Sequence, residues 1–148
     1  LLSQVCGEYQ QRLEDQVLEP VLALCQPGPV AMADGRLLWR VLDNLMSNIC
    51  KYAMPGTRVY LSTEAGKDGV RMVVKNISRY PLNISADELT ERFVRGDSSR
   101  STEGSGLGLS IATSLTAIQG GDFRLTIDGD LFKVTLTLPR AEQEEKQE

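Results

Sequence analysis

Three polar side chains share one strip of a predicted helix over residues 35–53. Asn44, Asn48 and Lys51 follow one another at spacings of four and three residues. At roughly 100° per residue they lie on one narrow strip at the border of the apolar stripe. Amide oxygens suit Mg²⁺ and a lysine suits a phosphate, and the flat ring of Tyr52, next in the chain, suits a base. The strip indicates either such a site or amides that satisfy nearby loop backbone.

A glycine cluster opens a second periodic helix. Residues 104–109 read Gly-Ser-Gly-Leu-Gly-Leu, which comprises Gly104, Gly106, Leu107, Gly108 and Leu109. Glycines let backbone N–H groups approach an anion closely, and a helix N-terminus adds unpaired donors and the positive end of the dipole. The spacing matches neither the Walker loop nor the dinucleotide fingerprint. It predicts a phosphate site of another kind, with a flexible hinge as the alternative.

A polar segment over residues 92–106 carries arginines between these two motifs. Arg92, Arg95 and Arg100 lie in it, beside Asp97. Its composition predicts a mobile loop, and an arginine on such a loop can close on a terminal phosphate and spread its charge. The alternative is a solvated loop in which the arginines pair with neighbouring carboxylates.

Composition excludes several kinds of chemistry. The 148 residues are 41% hydrophobic and 24% charged, which predicts one globular domain and excludes a disordered chain. The absence of histidine excludes zinc–imidazole sites and Ser-His-Asp triads made by this chain alone. A net charge of −4 argues against a nucleic-acid partner. No apolar run approaches the roughly 20 residues that span a bilayer, and three cysteines without metal-ligand spacing suit a reducing compartment.

The elements that must position these residues alternate strand pairs with helices. The patterns predict helices over 1–14, 35–53, within 81–91 and over 107–119, and strands over 18–25, 30–33, 57–63, 70–77, 123–127 and 131–138. Each neighbouring strand pair is predicted to form a hairpin, and Pro20 places the first strand at an edge. Asp34 is the expected N-cap of the second helix, and Gly120-Gly121 the expected C-cap of the last. This order predicts an α/β two-layer sandwich, with helices on one face of a mixed, mostly antiparallel sheet.

Taken together, the motifs resemble the catalytic, ATP-binding domain of bacterial sensor histidine kinases, in the wider group of gyrase, mismatch-repair and chaperone ATPases. Residues 40–52 (RVLDNLMSNICKY) match the asparagine box of that family, and residues 91–100 (ERFVRGDSSR) its phenylalanine box. Residues 104–111 (GSGLGLSI) match its second glycine box. The resemblance covers about residues 34–139 and implies the Bergerat-type ATP-binding fold.

The resemblance implies a role for each matching residue, with ATP and Mg²⁺ as cofactors. Asn48 is implied to coordinate Mg²⁺ with Asn44 beside it, and Lys51 to meet the phosphates. Tyr52 and Asn76 are implied to contact the adenine. Arg95 is implied to contact the terminal phosphate, while the second glycine box wraps the phosphate chain through Gly104, Gly106, Leu107, Gly108 and Leu109. The implied catalytic residues are Arg95 and Lys51.

One box departs from the family pattern. Where the family has Asp-x-Gly-x-Gly, this chain reads Asn-Ile-Ser-Arg-Tyr over residues 76–80. Asn76 keeps an acceptor for the adenine amino group and adds a donor, but it loses the charge-assisted bond, which is roughly twice as strong as a neutral one. Ser78 and Tyr80 place side chains where glycine allows close approach. Weak nucleotide affinity, altered base preference and loss of activity therefore remain open.

The resemblance implies transfer of the γ-phosphoryl group of ATP to a histidine that lies outside this chain. Residues 1–15 are then expected to connect to an upstream dimerisation domain that carries the histidine, residues 16–140 to form the catalytic domain, and residues 141–148 to be a disordered acidic tail. A downstream response regulator is the second expected partner. We expect a cytoplasmic piece of a membrane-bound parent, without nucleic-acid or direct membrane contact.

Three alternatives to this function stay open. A gyrase-like hydrolase would need a glutamate where this chain has Asn44, which cannot accept a proton, so the kinase is favoured. A degenerate nucleotide-binding module that acts only in signal coupling is the second. An anti-sigma-type serine kinase, which shares the same boxes, is the third.

Overall fold

The computed structural model describes residues 1–24, 34–67, 69–79 and 107–139. In chain order the elements are α1 (Leu2–Glu8), α2 (Gln10–Asp15), β1 (Glu19–Ala23), α3 (Gly35–Tyr52), β2 (Arg58–Gly66), β3 (Gly69–Ile77), α4 (Leu107–Ile118), β4 (Asp122–Asp128) and β5 (Leu131–Leu138). The predictions for 30–33, 81–91, the arginine segment and the tail 141–148 lie outside the described residues.

One five-stranded sheet forms the first layer, in the order β1-β2-β3-β5-β4. The β1–β2 pair is parallel and the other three pairs are antiparallel. Side chains alternate between the faces of a strand, so Leu61, Val74 and Val134, which are paired across β2, β3 and β5, share one face. All three are almost fully buried under the helices. The predicted two-layer sandwich and mixed sheet are confirmed.

The ends of α3 and α4 follow their sequence signals. The Asp34 side chain accepts hydrogen bonds from the backbone N–H groups of Arg36 (2.9 Å) and Leu37 (3.2 Å), which confirms it as the N-cap. After α4, Gly120 has φ +78°, and its N–H donates to the Ala117 carbonyl oxygen. A left-handed residue at this position is the usual glycine C-cap, as predicted.

The N-terminal segment forms two helices where the periodicity predicts one. Tyr9 interrupts the helix between α1 and α2. The predicted apolar face is nevertheless continuous, because Leu2, Cys6, Tyr9 and Leu13 are all buried in the common core. Hydrophobic periodicity predicts which residues face the core but not where the helix breaks, because the break leaves the spacing of the buried residues unchanged.

The partner of β1 among the described strands was not predicted. β1 contains Pro20, lies at the edge of the described sheet and pairs with β2 in parallel, with Leu22 opposite Leu61, whereas the predicted hairpin partner at 30–33 lies outside the described residues. Parallel pairing needs a crossover connection, and α3 lies between these two strands in the chain. A turn signal after β1 could not reveal this non-local partner.

Two further features concern the described residues only. No helix among them is long and apolar enough to cross a membrane. Cys6 and Cys50 are both buried free thiols, and burial raises the pKa of each.

Candidate functional site

The polar strip of α3 lies at the border of the core, as its spacing predicts. Asn44, Asn48 and Tyr52 are half-buried, and Lys51 is exposed. The neighbouring stripe, which includes Leu45 and Ile49, is buried. The strip therefore keeps polar atoms next to a low-dielectric interior while part of it faces outward.

Helix α4 packs beside α3 and runs in the opposite direction. The Asp34 N–H at the start of α3 donates to Gln119 Oε1, just beyond the end of α4, at 2.9 Å. Twelve helical residues span roughly 18 Å, so the first turn of α4 lies about level with Met46 of α3. The described start of this helix, which contains Leu107 and Gly108, therefore lies at the level of the two asparagines.

Asn44 carries an unsatisfied donor. Its Nδ2 atom is buried and has no hydrogen-bond acceptor among the described residues. A buried amide without a partner costs about 1–3 kcal/mol, which an oxygen-rich ligand in this position would offset. The amides of Asn44 and Asn48 are hard oxygen and nitrogen groups, so they fit an anion together with a hard cation such as Mg²⁺.

No three His, Cys, Asp or Glu side chains of the described ranges converge in a metal-binding group. Mg²⁺ is usually held by one or two protein groups plus substrate phosphates and water, so the asparagine pair suits a cation that arrives with its anion. The chemistry of this donor set fits the predicted magnesium.

Backbone hydrogen bonds join the end of α3 to the end of β3. The Met54 N–H donates to the Ile77 carbonyl oxygen at 2.8 Å, and the Arg79 N–H donates to the Tyr52 carbonyl oxygen at 2.7 Å. Ala53 and Ser78 form an isolated antiparallel bridge between them. These bonds hold Tyr52 beside the last residues of β3 and so bring two distant motifs together.

Asn76 and Ser78 are both 5% exposed. Asn76 lies two residues beyond Val74 in β3, so the two side chains are on the same face, and Asn76 is paired with Phe132. Asn76 therefore faces the helical layer and not the open side of the sheet. The Ser78 N–H donates to the Asp130 carbonyl oxygen in the β4–β5 turn, at 2.8 Å. The structure thus places Ser78 beside the end of α3, and Asn76 on the face of the sheet that the helices cover.

Several predicted site residues lie outside the described ranges. They are Arg92, Arg95, Arg100, Gly104 and Gly106. Of the glycine box, Leu109 is buried in the core. The described half of the predicted site is therefore the asparagine strip, the end of β3 and the start of α4.

Tyr9 contacts the site helix in a way that sequence reasoning missed. Its hydroxyl donates to Asp43, with 2.5 Å to Oδ1 and 3.1 Å to the carbonyl oxygen. Asp43 precedes Asn44 and lies about 100° around the helix from it. Burial and then the Asp43 bond raise the pKa of Tyr9. The only signal in the sequence was a tyrosine on an apolar face.

The chain is similar to several known proteins. The family model described as histidine kinase-, DNA gyrase B- and HSP90-like ATPase matches residues 33–142. The probable sensor protein PcoS of Escherichia coli is 35% identical over 113 residues, which cover 74% of this chain and 24% of PcoS.

Two solved structures are similar over almost the whole chain. The catalytic domain of histidine kinase ThkA has a TM-score of 0.79 and 20% identity over 94% of this chain and 90% of that one, a likeness of fold. Full-length ShkA in complex with AMPPNP has a TM-score of 0.76 and 28% identity over 95% of this chain and 29% of that one. The chain spans only 17% to 39% of the first curated relatives that it matches.

Proposed function

Since this chain belongs to the family of histidine kinase-, DNA gyrase B- and HSP90-like ATPases, we propose that it is the catalytic domain of a two-component sensor kinase. It binds ATP with Mg²⁺ between α3 and the start of α4. It transfers the γ-phosphoryl group to a histidine that another domain supplies, because the chain has none.

The observation that carries this proposal is the unsatisfied amide of Asn44. It lies on α3 about level with the start of α4, and backbone hydrogen bonds join the end of α3 to the end of β3. Phosphoryl transfer depends on positioning and charge stabilisation, and a buried amide donor on a packed helix suits the binding of an anion at a fixed place.

The phosphate side of the site comes from α3, α4 and the segment between β3 and α4. Asn48 holds the Mg²⁺, with Asn44 beside it, and that ion neutralises charge on the phosphates when bound. The exposed Lys51 meets the phosphates, and the glycine box wraps them through backbone N–H groups. Arg95 closes on the terminal phosphate.

The base side of the site comes from Tyr52 and Asn76. The backbone bond between Arg79 and Tyr52 holds the tyrosine beside the end of β3, where a ring can pack on adenine. Asn76 offers the adenine amino group a neutral acceptor. Its near-complete burial strengthens a hydrogen bond made there, which offsets part of the lost charge assistance.

Isothermal titration calorimetry with AMPPNP, the nucleotide analogue in the ShkA complex, tests nucleotide binding. We expect saturable binding that Mg²⁺ tightens. Asn48→Ala is expected to weaken binding at least about tenfold with Mg²⁺ and much less in EDTA. Ser47→Ala is the control, since Ser47 lies on the same helix about 100° from Asn48.

Two outcomes would contradict the nucleotide site. No binding at millimolar AMPPNP would favour the degenerate signal-coupling module, to which the Asn76 and Ser78 departures point. Equal losses from Asn48→Ala with and without Mg²⁺ would remove the metal role of Asn48 but not the site.

A phosphorylation assay with γ-labelled ATP tests the transfer step. The chain alone is expected to form no phosphohistidine, and addition of the histidine-bearing dimerisation domain of the parent protein is expected to give it. Rapid ATP hydrolysis without that domain, abolished by Asn44→Ala, would instead support a gyrase-like hydrolase.

The partners follow from the same proposal. They are the upstream dimerisation domain, to which residues 1–15 lead, and a downstream response regulator that receives the phosphoryl group. The sensor proteins among the relatives support this assignment. A cytoplasmic location for the domain is part of the same proposal.

A further inference from the structure

The sheet face away from the helices carries charged residues in two different situations. Three arginines on it pair with carboxylates of the same face: Arg58 with Glu19 (3.7 Å), Arg71 with Glu64 (3.6 Å) and Arg124 with Asp122 (2.8 Å). Two lysines, Lys75 and Lys133, have no carboxylate within 4.0 Å among the described residues.

The two lysines lie directly opposite each other. Lys75 of β3 is paired with Lys133 of β5, and both are half-buried. Like charges in opposed positions of a ladder destabilise the sheet. The Lys75 ammonium group lies 5.5 Å from the centre of the Tyr60 ring, which is its one partner in the described chain. A carboxylate from outside the chain would reduce the repulsion between the two ammonium groups.

A groove adjoins the lysine pair on the same face. It has a volume of about 700 Å³, and its lining includes Val17, Tyr60 and Ile77 together with the Arg58–Glu19 ion pair, in which the arginine neutralises the carboxylate. Tyr60 is 40% exposed and is paired with Lys75 across β2 and β3. The groove and the lysine pair therefore form one continuous area, which we call the lysine–groove surface.

Val17 enters this surface in an unfavourable backbone conformation. It has φ +56° at the end of α2, where the Leu18 N–H donates to the Leu13 carbonyl oxygen at 2.8 Å. This is the position after a helix that glycine usually takes, and a β-branched residue there is conformationally strained at a cost in stability. The side chain is 64% exposed, so burial within the chain does not offset that cost.

We propose that the lysine–groove surface binds an acidic segment of a partner protein. An apolar side chain of the partner fills the groove against Val17 and Tyr60, and its carboxylates lie on Lys75 and Lys133. Local charge complementarity selects this occupant, because the two adjacent ammonium groups have no carboxylate partner among the described residues.

Titration of the ¹⁵N-labelled full chain with a synthetic peptide tests this surface. The probe is a ten-residue peptide of glutamates with one central leucine, and the matched probe has serine in place of leucine. We expect saturable shifts of the amide signals around the groove and the lysine pair. The serine peptide is expected to bind at least about threefold more weakly, because the groove stays empty.

Variants separate the two halves of the surface. The double variant Lys75→Gln/Lys133→Gln is expected to weaken binding about tenfold, whereas Arg124→Gln, which removes a paired cation, changes it less than twofold. Val17→Gly is expected to weaken binding although it relieves backbone strain. A merely structural role for Val17 would not give weaker binding in a more stable protein.

Three results would overturn the proposal. They are no shifts at millimolar peptide, equal binding of the leucine and serine peptides, and equal weakening by the Arg124 control. Binding to phosphatidylserine vesicles at least as strong as to the leucine peptide, or dimerisation through this face, would also contradict it.

Discussion

Replacement of Tyr9 by phenylalanine tests whether the N-terminal helices hold the site helix in place. The substitution removes one hydroxyl and keeps the ring, so packing against the core is retained. Two acceptor oxygens of Asp43 lose their hydrogen-bond donor. Because Tyr9 is only 6% exposed, water cannot readily replace the lost hydroxyl.

The expected loss follows from the nature of this bond. Hydrogen bonds to charged groups contribute about 1.5–3 kcal/mol, so Tyr9→Phe should lower the free energy of unfolding by about 2 kcal/mol at pH 7. For a domain of this length that corresponds to a decrease in Tm of about 4–8 °C. Tyr60→Phe is the control, because Tyr60 is 40% exposed and should change stability by less than about 0.5 kcal/mol.

The same substitution should alter the dependence of stability on alkaline pH. Burial and the Asp43 bond raise the pKa of Tyr9 in the folded state above its unfolded value of about 10. The folded state therefore keeps a proton that the unfolded state loses, and stability falls as pH rises above about 10, by up to about 1.4 kcal/mol per pH unit. Tyr9→Phe should lack this contribution.

Urea unfolding of both proteins at pH 7 and at pH 10–11 measures the two effects. Both proteins contain Cys6 and Cys50, so the contribution of these two thiols cancels when the stabilities of the proteins are subtracted. A loss below about 0.5 kcal/mol at pH 7, or parallel stability curves above pH 10, would show that the hydroxyl does not stabilise the fold as argued.

Three further substitutions test local features by urea unfolding. Asp34→Ala should cost about 1 kcal/mol, since two N–H groups lose their acceptor; an unchanged midpoint would contradict the cap. Gly69→Ala should cost more than about 2 kcal/mol, because φ is +143° and a Cβ would collide with the Leu138 carbonyl, whereas Gly66→Ala meets only ordinary contacts. Val17→Gly should stabilise by about 0.5–1 kcal/mol, and a loss would refute the strain.

Much of the fold was predictable because its signals are local. The cap at Asp34, the stripe of α3 and the left-handed Gly120 each depend on neighbours within one or two turns. The break at Tyr9 and the parallel partner of β1 were not predictable in this way. A break in a helix leaves the spacing of the buried residues unchanged. The strand that pairs in parallel with β1 lies 35 or more residues further along the chain.

The same distinction between local and non-local signals applies to the candidate site. Sequence alone determined that Asn44, Asn48 and Lys51 share one strip, because the helical period puts them there. It also determined that the chain contains no histidine. Only the tertiary structure decided that the start of α4 reaches the level of these asparagines, that the end of β3 lies beside Tyr52, and that Tyr9 bonds to α3 through Asp43. Those neighbours result from burying apolar faces of distant elements against each other, and no local pattern encodes which faces meet.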